Sequence, residues 1–455
     1  METPLGPSTK KESKHMKRIG IIILTFLYCL TLWGCGSKET ELLHKHTFGD
    51  WILQQAASCK AEGQEERQCT ECGQAEVRTI AKEAHSPGAY NVCKNCRYVD
   101  FDKDAQVVEL GIICDAWYGS GNGANYAGDV KVWDGKVYRA AGDYDKNSGS
   151  TVILAYDIAT QTWETTGNAD DEAIHRFVEI GATLYTPGID AIGGWDTGNF
   201  YVLGEDGKWQ ITRSLPNGLH CFDMIEFDGR IFAGLGTETL GNTVAVSQDK
   251  GKTFTFVPMY RDGVLLDTSG YEHSRTYAFA EYDGSLYALI LFKKTGVIGY
   301  DTLIFRYDNE KMVYQSVADS RLTGKTGRNY WQGKLEWKGV CYLTSTALNA
   351  ITDFSNPETH RQISMPNGGV VSDILLHNDQ LYVLSYTFQE NMTSKAVIYK
   401  SATGEEGSFM EAASFDYAGI PISFDFDGDH FYIGIGNSFT DRSKTGMILR
   451  VKPAA

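Results

Sequence analysis

No basic stripe runs through this chain. Its 42 Lys and Arg residues are outnumbered by 58 Asp and Glu, leaving a net charge of -16, and a dense group of the cations sits within the first 18 residues. Binding nucleic acid through its phosphates needs cations gathered on one face, so a nucleic-acid partner is excluded. Long apolar runs of 3.6-residue period are missing beyond the N-terminus, which argues against a helical domain. The common catalytic signatures are missing as well: there is no H-E-x-x-H, no G-x-S-x-G and no P-loop. Glycine, at 48 residues, and aromatic side chains, at 12%, are plentiful. Together they suit many short strands joined by tight turns, an all-β chain.

At the N-terminus, Lys10, Lys11, Lys14, Lys17 and Arg18 precede an apolar run from Ile19 to Trp33. The run is short for a membrane span and suits the core of a signal peptide, with Met16 as a second possible start. It ends Leu32-Trp33-Gly34-Cys35, which resembles the lipobox of bacterial lipoproteins. The resemblance implies a signal peptide over 1–34, lipidation of Cys35 and a polar tether over 35–43. A plain signal anchor is the alternative. Either way an exported chain is expected. The lipobox adds a lipid anchor on the bacterial cell membrane or envelope, facing away from the cytoplasm.

A His/Cys-rich segment follows over 44–103. Cys69, Cys72, Cys93 and Cys96 are spaced C-x2-C, x20, C-x2-C, close to zinc-ribbon spacing, with Cys59, His44, His46 and His85 nearby. Two residues between cysteines let a tight turn aim both thiolates at one tetrahedral ion, and Gly73 supplies a permissive turn backbone. The segment also repeats itself. His46-Thr-Phe-Gly-Asp-Trp51 leads to Cys59 and Cys69-Thr-Glu-Cys72, and His85-Ser-Pro-Gly-Ala-Tyr90 leads to Cys93-Lys-Asn-Cys96. This is similar to the short His/Cys-rich repeats near the ends of bacterial surface proteins. The expected cofactor is structural zinc on Cys59, Cys69, Cys72, His85, Cys93 and Cys96. Export makes disulfides the alternative, though five cysteines would leave one unpaired.

From residue 105 one theme recurs: an apolar strand, a polar-glycine turn and a second strand with an aromatic three residues on. The turns centre on Gly135, Gly181, Gly229, Gly284, Gly339, Asp379 and Gly428, spaced 40 to 55 residues apart. Asp-Gly between alternating strands signals a type I′ hairpin, and a repeat of this length signals a propeller or solenoid. Seven blades of about four strands are expected over 104–455. The last unit lacks a strand, which Ala105–Ile113 is placed to supply. Ser247-Gln-Asp249-Lys-Gly251-Lys-Thr253-Phe254 resembles the Asp-box, and Tyr156-Asp157-Ile-Ala-Thr160-Gln-Thr-Trp163 a kelch-type turn. Both resemblances imply a β-propeller and leave its function open.

Propellers usually bind where their innermost strands begin. Those starts hold Tyr126, His175, Arg176, His220, His273, Arg275, Arg328, Tyr330 and Trp331. Rings to stack and cationic forks suit a sugar, or a carboxylate on one. The expectation is a monomeric, surface-displayed protein that binds an extracellular glycan or protein. A sialidase-like hydrolase or a lyase using the same mouth is the alternative, although the sialidase Arg-Ile-Pro signature is absent. Asp143-Tyr-Asp145-Lys-Asn147 begins like a calcium loop without its glycine and glutamate, and Asp425-Phe-Asp427-Gly428-Asp429 reads equally as a turn; calcium is the second cofactor raised.

Overall fold

The computed structural model describes residues 45–111, 128–142, 150–194, 196–237, 242–296, 300–316, 332–344, 349–356, 359–391, 393–436 and 444–454. The chain divides into two compact units, with the boundary between Lys82 and Glu83. Among the described residues, no helix is long and apolar enough to cross a membrane.

The first unit is a three-stranded antiparallel sheet of Ile52–Gln55, Gly63–Gln68 and Ala75–Ile80. It has almost no apolar core. Its buried residues are Cys59, Gly63 and Cys69, while Ile52, Leu53 and Val77 are exposed. In place of a core, Trp51 has the guanidinium of Arg67 at 4.5 Å from its ring and that of Arg78 at 4.3 Å. Each arginine is paired across the sheet, with Glu76 and Glu65 respectively. Exposed pairs of this kind contribute little, so something other than burial must hold this unit.

The second unit is a seven-bladed β-propeller, as the turn spacing predicts. Blade 1 comprises Val130–Trp133, Lys136–Arg139, Thr151–Asp157 and Thr162–Ala169. Blades 2 to 6 start with inner strands Val178–Ile180, His220–Phe227, Tyr271–Tyr282, Lys334–Trp337 and Val370–His377. Blade 7 contains Pro421–Phe426, Phe431–Ile435 and Ile448–Val451, and its fourth strand is Val107–Gly111, paired antiparallel to Ile448–Val451. The expected closure is therefore present. Trp163 of blade 1 is buried against this seam and donates its indole N–H to the Leu110 carbonyl at 2.7 Å.

Five of the seven turns have both central residues at positive φ, for example Asp134 at 46° and Gly135 at 73°, as type I′ hairpins require. Two differ from the expected Asp-Gly type. In blade 2 only Gly181 is left-handed within the two-residue loop between Ile180 and Thr183. In blade 7 the loop between Phe426 and Phe431 is four residues long, and the Asp427 carboxylate accepts the N–H groups of Asp429 and His430. That use of Asp427 is the turn reading of the acidic run there.

The Ser247–Phe254 turn is knit by its own side chains. The Ser247 hydroxyl accepts the Gly251 N–H at 2.8 Å, and the Asp249 carboxylate accepts the Thr253 N–H at 2.8 Å and its hydroxyl at 2.7 Å. Gly251 sits at φ 85°, and a Cβ there would lie 2.8 Å from the ring of buried Phe200. Left-handed strain and overpacking then act together. Gly251→Ala should cost about 2–4 kcal/mol in urea unfolding of the propeller; an unchanged midpoint would show that the turn can yield.

Candidate ligand site at the channel mouth and candidate metal centres

Inner strands of blades 3, 4, 6 and 7 each carry a β-bulge near their start, between Cys221 and Asp223, Thr276 and Ala278, Val371 and Asp373, and Pro421 and Ser423. A bulge re-aims the extra residue out of the strand alternation. In blades 3 and 4 the extra residues are Phe222 and Tyr277, whose rings meet at 4.3 Å. With Ala173, Ile189 and Leu291 they form one small buried apolar cluster.

Cationic and imidazole groups gather beside that cluster. The Arg275 guanidinium lies 5.9 Å from the centre of the Phe222 ring, and the His220 ring meets Phe222 edge-on at 5.2 Å. His220 Nδ1 is 3.1 Å from the carboxylate of Asp190, at the far end of blade 2's second strand. Burial, and then the nearby charges of Arg275, His175 and His273, bring the His220 pKa down to about 3, so it is neutral at ordinary pH. Burial and Arg275 also lower His273. Three predicted residues, His175, His273 and Arg275, thus lie within electrostatic reach of a fourth, His220, on blades 2 to 4.

Arg176 has a different partner. It is buried and its guanidinium is 3.0 Å from the carboxylate of Asp223, which Lys334 of blade 5 contacts as well. Asp129, Asp223 and Asp373 occupy the same position in blades 1, 3 and 6, six residues before the second turn residue. Each accepts a backbone N–H from the following blade: Phe177 at 2.8 Å, Phe279 at 2.7 Å and Phe424 at 3.1 Å. These carboxylates tie blade to blade. Burial raises Asp129 to about 6, over the opposing Phe177 N–H and Arg176 charge, and pushes Asp373 up as well. Asp223 goes the other way, because Arg176 and Lys334 outweigh its burial.

A second concavity of about 340 Å³ lies between the inner strands of blades 3, 4 and 5, lined by Ile225, Glu281, Lys334 and Glu336. Burial and the charge of Glu336 raise Glu281. With one lysine among its carboxylates, this cleft is a poorer place for an anion than the mouth. Tyr126, Arg328, Tyr330 and Trp331, together with Cys35, His44 and the 143–147 run, lie outside the described residues. Asp190, Phe222 and Tyr277 belong to the mouth but escaped the sequence reading. Phe222 and Tyr277 each stand two residues after a predicted mouth residue, and that offset was the signal available.

The His/Cys residues form groups that the ribbon spacing does not suggest. That spacing places Cys69, Cys72, Cys93 and Cys96 around one ion. Instead, each C-x2-C pair is gathered with its own histidine: His46 with Cys69 and Cys72, and His85 with Cys93 and Cys96, the ligand atoms within each set lying within 4.8 Å of one another. The second set lies beyond the Lys82–Glu83 boundary, in the propeller unit. Burial opposes ionisation of the Cys93 thiol, but the backbone N–H groups of Cys96 and Asn95 and the side chains of His85 and Cys96 outweigh it and bring the pKa to about 6. Cys59 is buried in the first unit, and none of the seven described cysteines, Cys221 and Cys341 included, is in a disulfide. Burial raises the last two thiols, which suits packing more than chemistry.

The fold is a closed seven-bladed β-propeller in which Arg275 and His220 pack beside two buried rings near the starts of inner strands. The sequence matches no protein-family model and no curated protein. Among solved structures it is similar to the β-propeller domain of the trilobed protease from Pyrococcus furiosus, with TM-score 0.40 and 8% identity over 68% of this chain and 90% of that one. It is also similar to BamB from Moraxella catarrhalis, with TM-score 0.36 and 9% identity over 71% and 96% of the two chains. A third likeness is to the polysaccharide lyase Uly1, with TM-score 0.41 and 9% identity over 74% and 92%. None of these likenesses bears on chemistry, which rests on the residues of this chain.

Proposed function

We infer that this chain is an exported bacterial lipoprotein, anchored through Cys35, whose Asp-box and kelch-like propeller binds an extracellular glycan or a protein carrying one. The observation that carries the reading is Arg275 beside the Phe222–Tyr277 ring pair, with His220 and His273 near it. A guanidinium beside a ring pair suits a carboxylate borne on a sugar: the fork takes the carboxylate and the buried rings back the guanidinium. The histidines add hydrogen-bonding groups without committing the site to proton transfer at neutral pH, since His220 stays uncharged.

The test is calorimetric titration of the full chain with neutral and acidic oligosaccharides. An acidic sugar should bind, and Arg275→Ala should weaken it roughly 10- to 100-fold, the worth of a charge-assisted hydrogen bond. Binding that is indifferent to this change would remove the mouth from consideration. Release of reducing ends or of an unsaturated sugar during the titration would replace recognition with catalysis.

A further inference from the structure

The two His/Cys copies repeat one another bond for bond. In the first, Phe48, two residues after His46, bridges to Cys69, the Gly49 N–H donates to the Gln68 carbonyl at 3.0 Å, and the Thr70 N–H donates to Thr47 at 2.9 Å. The Cys69 N–H donates to Gln74 at 2.8 Å, and the Gly73 N–H returns to Cys69 at 2.9 Å with Gly73 at φ 72°. In the second, Pro87, two residues after His85, bridges to Cys93, the Gly88 N–H donates to Val92 at 2.8 Å, and the Lys94 N–H donates to Ser86 at 3.0 Å. The Cys93 N–H donates to Tyr98 at 2.7 Å, and the Arg97 N–H returns to Cys93 at 2.8 Å with Arg97 at φ 61°. Nδ1 of the histidine ends 3.4 Å from Cys72 Sγ in one copy and 3.3 Å from Cys96 Sγ in the other. The shared residues are a histidine, a glycine three places on and two cysteines. A backbone that recurs around so few common residues is built to place their donor atoms, and two thiols with an imidazole fill three of the four positions of a tetrahedral zinc ion with soft donors, leaving one for a further ligand or water.

The second copy is also part of the ring's seam. The Val99 N–H donates to Gln161 at 2.8 Å, the Trp163 N–H donates to Arg97 at 3.1 Å, and the Arg97 side chain reaches the Thr165 hydroxyl at 3.1 Å, all on blade 1. On the blade 7 side, Val92 packs so tightly on Gly111 of the closing strand that a Cβ there would meet it at 2.9 Å. Lys444 lies over the Tyr90 ring at 5.5 Å, and Val99 is fully buried in the core shared by blades 1 and 7.

We propose that each copy holds one zinc ion, through His46, Cys69 and Cys72 in the first and His85, Cys93 and Cys96 in the second, and that the second ion clasps the seam where the propeller closes. Binding displaces the thiol protons, and the ion then fixes Tyr90 to Val99 in the shape that spans blades 1 and 7. In the first unit, whose buried residues are cysteines and a glycine, the ion takes the place of a core.

The full chain, purified in detergent without chelator or reductant, should carry two zinc ions. Cys69→Ser with Cys72→Ser should remove one and leave the propeller's melting point, read by tryptophan fluorescence, unchanged. Cys93→Ser with Cys96→Ser should remove the other and lower that melting point by several degrees. If the latter variant does not fold, stripping zinc from the unaltered protein with a chelator gives the same reading: the melting point falls and zinc restores it. A content of one ion or none, a disulfide within either C-x2-C pair, or a melting point indifferent to stripping would each overturn the proposal.

Discussion

Asp223→Ala should destabilise the propeller by about 3–5 kcal/mol, because it leaves two cations, Arg176 and Lys334, facing a buried site with no counter-charge. The aspartate is fully buried and also accepts the Phe279 N–H at 2.7 Å, so the change unties blade 3 from blades 2, 4 and 5 together. Domains of ordinary stability have only about 5–15 kcal/mol to lose. Urea unfolding should show a strongly lowered midpoint, whereas Asp228→Ala, in an exposed pair with Arg230, should change it by less than about 1 kcal/mol. Equal effects from the two changes would mean that the buried triad is not what joins the blades.

A second large effect is expected with pH. Burial holds Asp129 and Asp171 at about 6, above the 3.8 of an exposed aspartate, in the case of Asp171 despite hydrogen bonds from Tyr201 and Asn199. Between those two values the folded chain binds more protons than the unfolded chain. Stability is therefore greatest at the acid end of this window and falls as pH rises through it. Each group should account for roughly 3 kcal/mol, with Asp373 and Asp425 acting in the same direction. Asp223 and Asp249, whose pKa values are lowered, oppose this only at more acid pH, where their protonation removes stability. Urea midpoints across this range should decline toward neutrality, and the decline should be shallower in Asp129→Asn. A rising curve would show that these carboxylates remain ionised in the fold.

Much of the architecture was legible because it is written locally. Each Asp-Gly pair sets a hairpin by its own backbone preference, and the missing strand of the last unit pointed to Val107–Gly111 as its complement. The mouth was legible only in part. His175, His273 and Arg275 lie near His220 because blades repeat in phase, so residues at strand starts fall at one end of the ring. The bulges that turn Phe222 and Tyr277 toward that end depend on cross-strand register, which no local signal records. Arg176 had the right position for a ligand, but its partner Asp223 lies 47 residues away in sequence. The division of the candidate metal ligands into groups was not legible for a related reason: C-x2-C spacing fixes how two thiols share a turn, and says nothing of which histidine joins them. The boundary after Lys82 likewise follows from contacts that Arg97 to Val99 make with blade 1, far along the chain.

The pairing of Val107–Gly111 with Ile448–Val451 sets the order of events when this protein folds. Val107–Gly111 precedes the rest of the propeller in the chain and has no strand partner until more than 300 further residues have followed it. So distant a contact closes late and slowly. Until then the unpaired Val107–Gly111 strand and the open edge of Ile448–Val451 are both templates for stray strands. The segment that crosses this seam in the finished ring, Tyr90 to Val99, is made just ahead of the waiting strand.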